Sequence, residues 1–306
     1  MAQQTSSGTW FSMLQHHARE HSKSLLGLFV AIAVLFWLWG LATENPSEQQ
    51  SRIVLLAMLG GCAGFISTTL GAVPVMFMKR LATRTEDVML GAAAGMMLAA
   101  SFFSLLQPGL EAGELLTGSA FLGGLLVIAG MTIGVLLMLG LDAFTPHEHF
   151  STGPCGPGAD RCAKVWLFVF AIALHNLPEG MAVGFGFSQG DISVGLPLAT
   201  AISLQNLPEG LAVAMSLRAI DIKPMHALLI TAATGLLEPL GALISICLVG
   251  GSEIAYPIGL GLAAGAMIFV VSHEVIPETH RNNHQTTATI GLMVGFALMT
   301  ILDTAL

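Results

Sequence analysis

Apolar residues in this chain come in long unbroken runs, neither alternating as in strands nor striped as on surface helices. A first run covers 24–42, and eight more lie near 53–78, 88–107, 119–141, 164–188, 193–216, 225–249, 255–276 and 286–305. Each of the eight is about 20 residues long, enough to cross the hydrocarbon core of a bilayer as a helix. The pattern predicts an all-α fold: a polytopic membrane helix bundle with eight core transmembrane helices in 53–305 and an extra N-terminal helix at 24–42. A polar arm, 1–23, precedes that helix, and the longest connection after the arm is 142–163.

Composition strengthens this picture. Of 306 residues, 54% are hydrophobic and 10% charged, with a mean hydropathy of +0.77, whereas a soluble chain carries about 25% charge. The net charge of −8 speaks against nucleic acid as a partner. Cys62, Cys155, Cys162 and Cys247 form no CxxC and no disulfide framework; Cys62 and Cys247 lie in apolar runs as packing residues. The run 24–42 reads as a retained helix, although Gly40-Leu41-Ala42 would also suit signal cleavage.

The basic residues orient the bundle. With the N-terminus inside, Arg19, Lys23, Lys79, Arg80, Arg84, Arg161, Lys164, Arg218, Lys223 and Arg281 all face the cytoplasm, and of the 11 basic residues only Arg52 lies outside. The outer loops are acidic instead, with Glu111 and Glu114, Asp191, Glu253, and Asp303 near the C-terminus. Taken together they would concentrate cations at an outer mouth. Taken singly, each reads as a solvated loop residue. The cytoplasmic loop 142–163 opens on Asp142, carries His147, Glu148 and His149, and then turns Gly/Pro-rich.

Candidate chemistry lies inside the spans. Glu179, Glu209, Glu238 and Glu274 sit in apolar runs with no lysine or arginine at mid-span to pair with them. Such carboxylates cost a few kcal/mol or more without a partner, so they call for protons or a metal ion. His-Asn-Leu-Pro-Glu-Gly at 175–180 returns as Gln-Asn-Leu-Pro-Glu-Gly at 205–210. His175 and Glu179 share one helix face, as do Gln205 and Glu209, while Asn176 and Asn206 point about 100° away. The span midpoints fall beside His175, Gln205, Glu238 and Met97, so four helices bring potential ligands to one depth. A mixed nitrogen and oxygen set of this kind suits Zn²⁺, Fe²⁺, Mn²⁺ or Cd²⁺. Pro178, Pro208 and Pro239 each adjoin one of these glutamates and remove a backbone donor, which predicts broken helices around a buried or wet cavity.

The paired motif and the Glu238-Pro239 of the next helix resemble the Zrt/Irt-like (ZIP) family of divalent metal transporters, its bacterial GufA-type branch above all, and the resemblance spans 53–305. It implies two inverted three-helix repeats around the fourth and fifth core helices, with a two-metal site between them. Met97, His175, Glu179, Gln205 and Glu209 would surround one ion. Asn176, Glu179, Asn206, Glu209 and Glu238 would surround the second, with Glu179 and Glu209 bridging. Some relatives carry aspartate where this chain has Asn206, which should weaken the second position. His273 and Glu274, near the cytoplasmic end of their helix, would receive a departing ion. Asp142, His147 and His149 would buffer it in the loop, and Glu111 and Asp303 would stand at the outer approach.

The activity so implied is uptake of Zn²⁺, with Cd²⁺, Fe²⁺ or Mn²⁺ as alternatives, by alternating access. The first, fourth, fifth and sixth core helices would slide elevator-like against the rest, with the glycine- and alanine-rich runs 91–100 and 259–266 as sliding or close-packing surfaces. Proton counter-movement and downhill flow both stay open. The setting is a bacterial inner membrane with a cytoplasmic N-terminus if the first helix is kept; the partners are metal ions and lipid, a homodimer stays open, and no organic cofactor is implied. A rival is a membrane-embedded di-metal enzyme. Di-metal carboxylate bundles use Glu-x-x-His, whereas this chain has His-x-x-x-Glu at 175–179 and no evident nucleophile. A metalloprotease HExxH fails because Pro277 stands where the second histidine would be. The chain reads as a transporter and not as an enzyme.

Overall fold

Every one of the eight core runs becomes a helix. The computed structural model describes residues 47–78, 82–144, 159–190, 192–249, 253–280 and 282–305, without the side chains of 141–144, 159–164 and 167. Helix α1 (Glu48–Met76) starts from a capping box: the Ser47 hydroxyl accepts the Gln50 N–H while the Gln50 side chain accepts that of Ser47. Helix α2 (Thr83–Thr117) stops at Gly118, whose φ of 67° is a left-handed cap open to glycine. Then come α3 (Ala120–Phe144), α4 (Ala159–Phe187) and α5 (Ile192–Ala219). Helix α6 (Pro224–Val249) opens on proline, which needs no donor there. Helices α7 (Ala255–Thr279) and α8 (Gln285–Ala305) complete the bundle. Among the described residues, 7 helices are long and apolar enough to cross a membrane. The exception is α5, whose run is diluted by Gln205, Asn206 and Glu209, all of them buried against neighbouring helices.

Three expectations need correction. Helix α2 does not end near 107 but continues to Thr117, so Glu111 and Glu114 lie on exposed helical turns and not in a loop. A π turn at Ser101–Leu106, closed by the Gln107 N–H on the Phe102 carbonyl, widens the helix just ahead of Pro108 and lets it run on. Helix α7 repeats the device: a π turn at Val271–Val275 precedes Pro277. Helices α4 and α5 run unbroken through Pro178 and Pro208, each proline costing its helix one internal hydrogen bond while the rest of the ladder persists. Only α6 is interrupted, at Leu236 between Gly235 and Leu237, just ahead of Glu238 and Pro239. Finally, α3 reaches Phe144 and α4 begins at Ala159, so Asp142 belongs to a helix and the connection shrinks to 145–158. The arm 1–23, the run 24–42, and His147, Glu148 and His149 lie outside the described residues.

Packing divides the helices into two sets. The most extensive pairings are α1 with α5, α4 with α6, α2 with α8 and α3 with α7. Exchanging α1 with α6, α2 with α7, α3 with α8 and α4 with α5 maps these pairings onto one another, as an inverted repeat of three helices around a central pair requires. Contacts between α1 and α6 and between α4 and α5 gather α1, α4, α5 and α6 into one set; α2, α3, α7 and α8 form the other. Reciprocal glycines cement the second set. Gly91 and Gly95 lie against α8 backbone, and Gly291 and Gly295 against α2. Gly130 and Gly134 lie against α7, and Gly261 and Gly265 against α3. A Cβ at any of these eight would strike a carbonyl of the facing helix.

Candidate metal site

The repeated motif meets itself across the interface of α4 and α5. His175, Asn176 and Glu179 come from α4, Gln205, Asn206 and Glu209 from α5, Glu238 from α6 and Met97 from α2; none is more than 2% exposed. Gln205 Nε2 donates to Glu179 Oε1 at 2.6 Å, joining the two copies directly. The glycine that closes each copy seats its helix on a neighbour: Gly180 lies against the backbone of Glu238 on α6, and Gly210 against that of Thr68 on α1. Thr68 Oγ1 in turn donates to Glu238 Oε1 at 2.9 Å. Glu179, Glu209 and Glu238 are close enough to feel one another's charge.

Hydrogen bonding leaves this cluster unsatisfied. Apart from Arg218 Nε, every buried side-chain nitrogen or oxygen without a hydrogen-bond partner among the described residues belongs to His175, Asn176, Glu179, Gln205, Asn206, Glu209 or Glu238. An orphaned buried polar atom costs about 1–3 kcal/mol, and this fold collects them in one place. Both imidazole nitrogens, both Glu209 oxygens, one oxygen each of Glu179 and Glu238 and three side-chain amide oxygens are available. That donor set fits a divalent transition metal and lacks the thiolates of a tight structural zinc site. Among the described residues no three histidine, cysteine, aspartate or glutamate side chains form a ligand group by themselves. The neutral amide oxygens of Asn176, Gln205 and Asn206 add weak oxygen donors to the set.

The accessory residues fall out differently. Glu274, expected near the cytoplasmic end of its helix to receive a departing ion, has Oε2 3.4 Å from His175 Nε2 and thus adjoins the central cluster. It stands on the π turn of α7, a distortion that no hydrophobic period announces. Its side chain is 20% exposed against 1% for His175, so it joins the buried cluster to a more exposed stretch of α7. His273 beside it is exposed and stacks on Phe269 with centroids 5.0 Å apart. At the other end, Asp303 accepts a 2.6 Å hydrogen bond from Ser104 on α2, and Glu111 accepts one of 3.3 Å from Gln107. The Asp142 side chain, like His147 and His149, is outside the described residues. Thr68 and its neighbour Gly64 were absent from the ligand set predicted by sequence. The small residues Gly60, Gly61, Gly64, Thr68 and Gly71 mark a smooth face of α1, but nothing local names the carboxylate it meets.

Comparison with known proteins shows the family. The family model for the ZIP zinc transporter matches residues 145–303. Zinc transporter ZIPB of Bordetella bronchiseptica is 54% identical over 98% of this chain and 96% of its own length. Zinc transporter GufA of Myxococcus xanthus is 38% identical over 83% of this chain and 98% of its own. Human zinc transporter ZIP11 is 27% identical over 84% of this chain and 99% of its own. These are names of transporters and not of enzymes, and this chain belongs to the ZIP zinc transporter family.

Proposed function

We propose that the chain carries Zn²⁺ from outside the cell or the periplasm into the cytoplasm through the mid-bundle cluster. The concentration of orphaned buried donors on His175, Asn176, Glu179, Gln205, Asn206, Glu209 and Glu238 is the observation that carries this reading. One ion is held by His175, Glu179, Gln205 and Glu209 with the Met97 thioether, and a second by Asn176, Asn206 and Glu238 with Glu179 and Glu209 shared. Neutral amides among the carboxylates keep the hold weak enough for release. The end of the bundle bearing Arg84, Arg218 and Lys223 faces the cytoplasm, and the end bearing Glu111, Glu253 and Asp303 faces outward. Ions pass Asp303 and Ser104 on the way in and leave along Glu274 and His273. The set α1, α4, α5 and α6 carries the site as one body past α2, α3, α7 and α8.

The test is zinc flux into proteoliposomes. Glu179→Ala and Glu209→Ala should each lower the initial rate by about tenfold or more, since even indirect supports of a metal commonly cost that much. Undiminished flux in both variants would overturn the central site.

A further inference from the structure

Helix α1 supplies no ligand to the cluster, yet its buried face is shaped around one carboxylate. Thr68, 1% exposed, points its hydroxyl at Glu238 Oε1, 2.9 Å away, across 170 residues of sequence. The same hydroxyl lies 3.2 Å from the Gly64 carbonyl on its own helix, the longer and weaker of its two contacts. Gly64 holds the other half of the carboxylate: a Cβ there would fall on Glu238 Oε2, the oxygen that has no hydrogen-bond partner. The amide nitrogen of Asn206 lies 3.4 Å from the same imagined Cβ, so the seat opens directly onto the α5 half of the cluster.

We infer that Thr68 and Gly64 are positioning residues that hold Glu238 as a one-oxygen ligand and thereby set the affinity of the second metal position. The inference rests on the two-ion reading above. Thr68 ties Oε1 to α1, so a swing of the carboxylate that turns both oxygens on one ion has to stretch or give up a charge-assisted bond. Gly64 lets Oε2 sit where any larger residue would evict it. The orientation is therefore set before the ion arrives. That matters most in a position whose other ligands include the neutral amides of Asn176 and Asn206.

The experiment measures Zn²⁺ binding to the purified full-length protein by equilibrium dialysis with metal analysis, with thermal unfolding as a check on folding. Thr68→Val keeps the shape and removes the hydroxyl; Thr68→Ser keeps the hydroxyl. The second Zn²⁺ should bind about tenfold or more weakly in Thr68→Val, the scale of a lost hydrogen bond to a charged group. The first ion should be unchanged, and Thr68→Ser should restore the second. Gly64→Ala should show the same selective loss, and it decides the matter if Thr68→Val fails to fold. A second ion bound as tightly in Thr68→Val or Gly64→Ala as in the parent overturns the seat. Glu238→Gln separates this from failure of the two-ion reading: if it too leaves the second ion untouched, or the parent binds only one, that reading falls and the seat falls with it.

Discussion

At the scale of single residues, the two motif copies are unequal in a way that suits release. His175 offers imidazole where Gln205 offers an amide, and Asn206 brings a neutral amide to the neighbourhood of Glu238. Asn206→Asp adds an anion to the second position. It should bind the second Zn²⁺ about tenfold more tightly, each such step being about 1.4 kcal/mol, and slow turnover at saturating zinc. Parallel binding and flux measurements check this, and unchanged values in both would remove Asn206 from the site. The paired motif was legible in the sequence because carboxylates inside apolar runs are costly and because its partners recur four residues apart on one face. Glu274 beside His175 and Thr68 beside Glu238 were not. Both contacts join helices far apart in sequence, and one depends on a π turn that leaves no trace in the hydrophobic pattern.

At the scale of helices, run length predicted the number and order of the core elements, and proline misled about their continuity. The apolar runs ending near 107 and 276 stop short of their helices, because at Pro108 and Pro277 a preceding π turn lets each helix continue. Pro178 and Pro208 read as breaks inside helices that prove unbroken. The glycine-rich runs left sliding and close packing as alternatives; contact with facing backbones assigns Gly91, Gly95, Gly261 and Gly265 to close packing within α2–α8 and α3–α7, while Gly259 faces the Phe185 ring of α4. Gly95→Ala would drive a methyl into the Leu292 carbonyl and within 2.8 Å of the Phe296 nitrogen. It should destabilise the protein by about 1–3 kcal/mol, seen as a lower unfolding temperature in detergent. Gly140 on α3 is the control, since nothing lies within 4 Å of its imagined Cβ. Gly140→Ala should be neutral or stabilising by up to ~1 kcal/mol. Equal effects at the two positions would deny the reciprocal glycines their role.

At the scale of the molecule, the polar contacts sort by the set they belong to. Thr68 with Glu238 and Gln205 with Glu179 lie inside the set that holds the site. Ser104 with Asp303, and Asp87 with Asn282 and His284, lie inside the other. Contacts also cross between the sets, among them His175 with Glu274 at 3.4 Å, and Ser216 on α5 donating to Glu86 on α2 at 3.3 Å. If the sets move as rigid bodies, contacts within a set persist through the cycle and those between sets must break. The Glu86 and Ser216 pair is the place to test this, because neither residue belongs to the metal cluster. With the native cysteines replaced, Glu86→Cys and Ser216→Cys joined by a short thiol cross-linker should cut zinc flux by about tenfold or more, each such factor corresponding to about 1.4 kcal/mol. Zinc binding at the central cluster should survive, and each single cysteine treated with the same reagent should transport normally. Full flux in the cross-linked double variant would show that the ion passes without relative movement of α2 and α5, and sliding of the two sets would have to be abandoned for gating within a fixed bundle.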